Sequence, residues 1–268
     1  MIVDLFGPPC SGKTVFASRL AARLRQRGLD VALHVSSRGN EVGGAYEETI
    51  FDQANAPGFS TFHRLWRPVV EFASRAGRSN SWLEEDEEVE LLVRLGETRS
   101  TLQMLRFRRY VRRLARLWRT AARPDAVAIF DQGYTQACCS ALLMNPSVSD
   151  TNLVRALLSL PQADVLVRVE APIDVLEGRL RERMNRLDPV GRLLEISMGI
   201  HAANITDHVA AIDRLSGLLT DAGRPIHVTS SDDAVSQEAC VAAISEVWDG
   251  RKASWHRREL AHHDGQER

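Results

Sequence analysis

The stretch from Val3 to Phe16, VDLFGPPCSGKTVF, decides the fold. An apolar run, IVDLF from residue 2, reads as a short buried strand. Gly7 to Gly12 is a loop. Lys13 to Arg27 then places Val15, Phe16, Leu20 and Leu24 on the apolar side of a helix, and Gly28 ends it. DVALHVS, from Asp30, reads as a second strand. Strand, helix and strand in this order require a right-handed crossover and a parallel sheet.

The loop itself, Gly7-Pro8-Pro9-Cys10-Ser11-Gly12-Lys13-Thr14, fits the spacing G-x-x-x-x-G-K-[ST]. It follows a strand and opens a helix, which is the context that gives the motif meaning. Backbone N–H groups there can surround phosphate oxygens, Lys13 adds a compact charge at the β- and γ-phosphates, and the Thr14 hydroxyl suits Mg²⁺. Lys13 is one of only two lysines; the other is Lys252, and the remaining 32 basic residues are arginine. A planar guanidinium does not replace a point charge enclosed by such a loop.

Further strands are expected at AVAIFD (126–131), ADVLVRVEA (163–171) and PIHVTSS (225–231). Charged helices are expected between 82 and 123, a helix from Pro172, a long helical stretch over 192–222 and a last helix over 234–248. Five strands alternating with helices predict an α/β, doubly wound, five-stranded parallel sheet flanked by helices. The 268 residues suit one domain over 1–250, with a helical insert at 41–124 and a polar tail at 251–268 that is expected to be mobile from His256.

Hydrophobic content of 44% and charged content of 26% are those of a soluble globular protein. The net charge of −1 draws the chain to neither nucleic acid nor membrane as a whole. Cys10, Cys138, Cys139 and Cys240 show no C-x-x-C spacing and read as reduced thiols. No leader and no membrane span is expected, so the reading is cytoplasmic.

Asp131 closes the strand AVAIFD, at the end that lines the ligand crevice of an open α/β sheet. A carboxylate there can hold Mg²⁺ or accept a proton from an attacking hydroxyl; a helix cap is the plainer role. Gln132 and Tyr134 follow in the same crevice as acceptor-side candidates. In EGRLRERMNR, Arg179, Arg183 and Arg186 share one helix face, where they would neutralise charge on a transferring phosphate; pairing with Glu177 and Glu182 is the alternative. Seven arginines from Arg106 to Arg119 could bind a phosphorylated acceptor or nucleic acid. Such a run is more often a solvated face answering an acidic one, here Glu84 to Glu90.

GPPCSGKT, VAIFDQG and ADVLVRVEAPIDVLEGRLRERMNR together resemble the P-loop nucleoside and nucleotide kinases, particularly the thymidylate kinase-like group. The resemblance covers about 1–40 and 125–248 and implies ATP and Mg²⁺ as cosubstrates. It also implies a lid-like region over 172–200 carrying Arg179, Arg183 and Arg186, and an adenine contact at the loop holding Ser230 and Asp232. Two departures stand out. Gln132 sits where thymidylate kinases have arginine. Ser36-Ser37-Arg38-Gly39-Asn40 occupies the place where deoxynucleoside kinases carry a basic glutamate, leaving Ser36 and Arg38 as acceptor-binding candidates. The expected function is transfer of the ATP γ-phosphoryl to a hydroxyl or phosphate acceptor, a nucleoside or nucleotide first, then an antibiotic or other metabolite, or a modified base in DNA. A P-loop ATPase switch with no acceptor is the alternative from another class. Expected partners are the small-molecule acceptor, a nucleic acid along Arg106 to Arg119, and a second copy of the chain in a homodimer.

Overall fold

The computed structural model describes residues 1–35, 87–98, 100–123, 125–187, 192 and 204–264. Ser36, Arg38, residues 41–86 of the expected insert and most of 188–203 in the lid-like region lie outside the described residues.

Five strands form the sheet: β1 Ile2–Phe6, β2 Val31–His34, β3 Val127–Phe130, β4 Val165–Glu170 and β5 Ile226–Ser230. All pairings are parallel and the order is β2-β3-β1-β4-β5. Helix α1, Lys13–Gln26, links β1 to β2. Helices α2, Glu87–Leu95, and α3, Thr101–Ala121, precede β3. Beyond β3 come α4, Tyr134–Met144, and α5, Asp150–Ser159; beyond β4 come α6, Ile173–Arg186, and α7, Ile205–Asp221; α8, Ala234–Asp264, follows β5.

The central strands β1 and β3 are buried on both faces and β4 nearly so, and their sequences read as apolar runs, while the edge strands β2 and β5 are partly exposed. Met1, Val3 and Leu5 project to one side, where they pack with Phe16, Leu20 and Leu24 of α1 and Val241 and Ile244 of α8. Ile2 and Phe6 project to the other, into a core with Leu92 of α2, Val111 and Trp118 of α3, Cys138 of α4 and Leu215 of α7. The period of two along a strand produces this division directly.

Local signals mark several helix ends. Ser100 caps α3 by accepting from the Gln103 N–H at 3.4 Å, and Ser149 caps α5 by accepting from the Asn152 N–H at 3.4 Å. The acidic start of α2 answers the arginines of α3: Arg108 pairs with Glu90, and Arg119 lies 3.6 Å from Glu88. One expectation changes. The last helix, expected over 234–248, continues as α8 as far as Asp264, because strong helix formers such as Lys252, Ala253 and Leu260 extend the helical pattern without a breaker.

Candidate phosphate and acceptor cleft

The loops after β1 and β3, neighbouring strands, leave the sheet in opposite directions. The first enters α1, on the Val3 face; the second enters α4, on the Phe6 face. Their divergence opens a crevice at the carboxyl ends of the strands, where ligands bind in open α/β sheets.

The phosphate loop forms one wall. Cys10 takes φ 63° and Gly12 φ 90°, so the chain turns through two left-handed residues. Consecutive backbone turns of this kind build anion-binding concavities. A Cβ at Gly12 would lie 2.4 Å from the Ser231 Cβ, so glycine is needed for space as well as for its dihedral. Gly7 donates its N–H to Gln136 Oε1 at 3.1 Å, anchoring the loop to α4. Pro8 and Pro9 make the bend, and Ser11 is fully buried.

Lys13 is 8% exposed. Its Nζ donates to the carbonyls of Gly7 at 2.8 Å and Pro8 at 2.7 Å and to Ser11 Oγ at 3.5 Å. The ammonium is thus folded into the loop that it serves. Thr14, one residue on, donates its hydroxyl to Asp131 Oδ2 at 2.9 Å. Asp131 is 1% exposed and lies directly beyond β3. Its own N–H donates to the His34 carbonyl at 3.2 Å, tying it to β2 as well.

Hydroxyl and carboxylate oxygens side by side are the donors that Mg²⁺ takes, so Thr14 and Asp131 fit the ion. Among the described residues no group of three or more His, Cys, Asp or Glu side chains is placed to hold a metal alone. An ion here would need phosphate oxygens or water to complete its shell.

The cleft has a volume of about 1280 Å³. Lys13 and seven arginines line it: Arg19, Arg106, Arg113, Arg179, Arg183, Arg186 and Arg214. Against them stand Glu182, Asp207 and Asp232. A cleft so biased inside a nearly neutral chain concentrates anions.

The arginine face of α6 divides by role. Arg179 donates to the Cys10 carbonyl and to Ser231 Oγ, each at 3.3 Å, and pairs with Asp232. It therefore latches α6 to both the phosphate loop and the turn after β5. Arg183 lines the cleft. Arg186 also reaches it but pairs with Glu182, and its side chain is 76% exposed. Arg181 pairs with Glu177 and points elsewhere, as its spacing predicts.

At the β5 end, Ser230 Oγ accepts from the Asp232 N–H at 3.3 Å. Ser231 and Asp232, rather than Ser230, line the cleft.

On the acceptor side Gln132 lines the cleft, but Tyr134 does not. Tyr134 is 3% exposed, with its ring edge-on to Trp118 at 4.9 Å. As the first residue of α4 it turns into the core, so the acceptor contact expected of it is replaced by a packing one.

Among the cleft residues not anticipated are His34 and Tyr110. His34 ends β2 and stacks on Phe130, with ring centroids 4.6 Å apart. Burial lowers its pKa, so the imidazole is neutral at pH 7. Tyr110 of α3 donates to the carbonyls of Gln132 and Gly133, each at 3.5 Å. Neither residue carries a motif; only the end of a strand and the inner face of a helix could have marked them.

No family model and no curated protein matches the chain. Among solved structures, three of a deoxyadenosine kinase from M. mycoides align over 92% of this chain and all of theirs, at 12% identity. One holds dCMP and a flexible dCDP (TM-score 0.48), one dATP (0.44) and one dCTP (0.40). The sheet order and the loop define the fold directly: a doubly wound, five-stranded parallel α/β sheet whose first strand runs into a phosphate-loop motif. Among the described residues no helix is long and apolar enough to cross a membrane.

Proposed function

We infer that the chain is an ATP- and Mg²⁺-dependent kinase, transferring the γ-phosphoryl group to a hydroxyl or phosphate of a small acceptor, with nucleosides and nucleotides foremost. The observation that carries this reading is the pairing of Thr14 with Asp131, where Thr14 and Lys13 line a cation-rich cleft much larger than a phosphate loop needs.

Lys13 would exchange its carbonyl partners for phosphate oxygens, gaining an ionised acceptor in place of two neutral ones. Loop N–H groups would hold the β-phosphate. Thr14 and Asp131 would hold Mg²⁺, which when bound would neutralise phosphate charge. Asp131 would take the proton from an acceptor hydroxyl. Arg183 would meet charge on the group in transit. Gln132 and His34 would face the acceptor; Ser36 and Arg38 remain the acceptor-binding candidates that the sequence offers. Such a site works by positioning and fixed charge rather than covalent chemistry.

Measurement of ADP release with and without a panel of nucleosides, nucleotides and metabolites tests the reading. Acceptor-dependent ADP formation is expected. Equal hydrolysis with no acceptor would favour a switch ATPase instead.

A further inference from the structure

Strand β1 holds a charge where its pattern calls for an apolar residue. Asp4 lies between Ile2 and Phe6 on the face that packs against α2 to α5, and it is 1% exposed. Burying a carboxylate is costly unless every oxygen is answered. Here both are. Oδ1 accepts the Gly133 N–H at 3.0 Å; Oδ2 accepts the Thr135 N–H at 3.0 Å and the Thr135 hydroxyl at 2.8 Å.

All three donors lie where the turn after Asp131 enters α4: Gly133 is the N-cap of that helix and Thr135 its second residue. The fit is close: a Cβ on Gly133 would lie 2.4 Å from Asp4 Oδ1. On the near side of Asp131, the β1–β3 ladder pairs Asp4 with Phe130. Asp131 is thus held from before and behind by one strand residue, while its N–H is held by the His34 carbonyl of β2. The same strand β1 runs into the phosphate loop that carries Thr14.

We propose that Asp4 is a positioning residue, which clamps the turn after β3 so that Asp131 meets Thr14 and Gln132 faces the cleft. The clamp makes the phosphate loop and the acceptor-side turn two ends of one rigid unit. This rests on the kinase reading for its functional consequence; the clamp itself does not.

The test compares Asp4→Asn, Thr135→Val and Thr135→Ser. Asparagine keeps the shape but answers fewer donors; valine removes only the hydroxyl; serine keeps it. Asp4→Asn should lower kcat at least tenfold with KM for ATP within twofold, because the phosphate loop is untouched. Thr135→Val should show a smaller loss of the same kind, and Thr135→Ser should restore wild-type turnover. Amide hydrogen exchange should quicken at Gly133 and Thr135 but not along α1.

If Asp4→Asn fails to fold, Thr135→Val carries the test, since two of the three bonds remain. A kcat unchanged in a variant whose turn exchanges faster would overturn the proposal. So would kcat and ATP affinity collapsing together with exchange quickened throughout, which marks a residue serving stability alone. If the wild-type protein binds no ATP, the kinase reading fails; local or global exchange then still decides whether the clamp exists.

Discussion

Asp4 and Lys13 show how a buried charge is made tolerable and why each stays. Lys13 is answered by two carbonyls and a hydroxyl of its own loop. Asp4 is answered by three donors, yet burial still wins: its pKa is pushed up to about 6, with the nearby Asp131 charge adding to the rise. Tyr110, Cys138 and Cys139 are buried within reach of the Asp4 charge, and burial raises all three, leaving them neutral at pH 7. The folded protein therefore binds the Asp4 proton more tightly than the unfolded chain does. That contribution to stability is complete below about pH 4 and is lost as the pH rises through about 6, on the order of 3 kcal/mol over the window. Thermal unfolding at pH 4.5 and pH 8 should show this slope in the wild type. Asp4→Asn should flatten it, and an equal slope in both proteins would contradict the assignment. Lys13 was legible in the sequence because a motif surrounds it. Asp4 was not, since one carboxylate in IVDLF carries no spacing, and only the approach of α4 reveals its partners.

At the scale of elements, α6 is the part of the account most open to trial. The i, i+4, i+7 spacing put Arg179, Arg183 and Arg186 on one face, and all three do line the cleft. Spacing could not divide their roles, because partners come from other elements. Arg179 reaches the phosphate loop and the turn after β5, while Arg186 pairs with Glu182 in its own helix. Arg183→Ala should lower kcat by about 10- to 100-fold, as expected for a cation that meets developing charge. Arg186→Ala should change it by less than about twofold, since an exposed i, i+4 pair contributes little. Steady-state kinetics on both variants check this, and equal losses would contradict it. Likewise the run of arginines in α3 could be read only as basic. Arg108 and Arg119 meet Glu90 and Glu88, whereas Arg106 and Arg113 line the cleft. The helix therefore shares its charge between an acidic neighbour and the site.

For the whole molecule, alternation of strand and helix was enough to predict the parallel sheet, because both faces must be covered. Strand order was not legible: β3 enters between β1 and β2, and that insertion brings Asp131 beside Thr14. The cleft was foreseen as a place but not as a shape, since its walls come from α3, α6 and α7 together. The central claim is that these walls hold an acceptor beside the γ-phosphate of ATP. Incubation with γ-labelled ATP, Mg²⁺ and candidate acceptors tests it most directly. The account predicts label on an acceptor with wild-type protein and none with Lys13→Arg, whose guanidinium does not fit between the Gly7 and Pro8 carbonyls. Label appearing only as free phosphate, at a rate no acceptor alters, would contradict it.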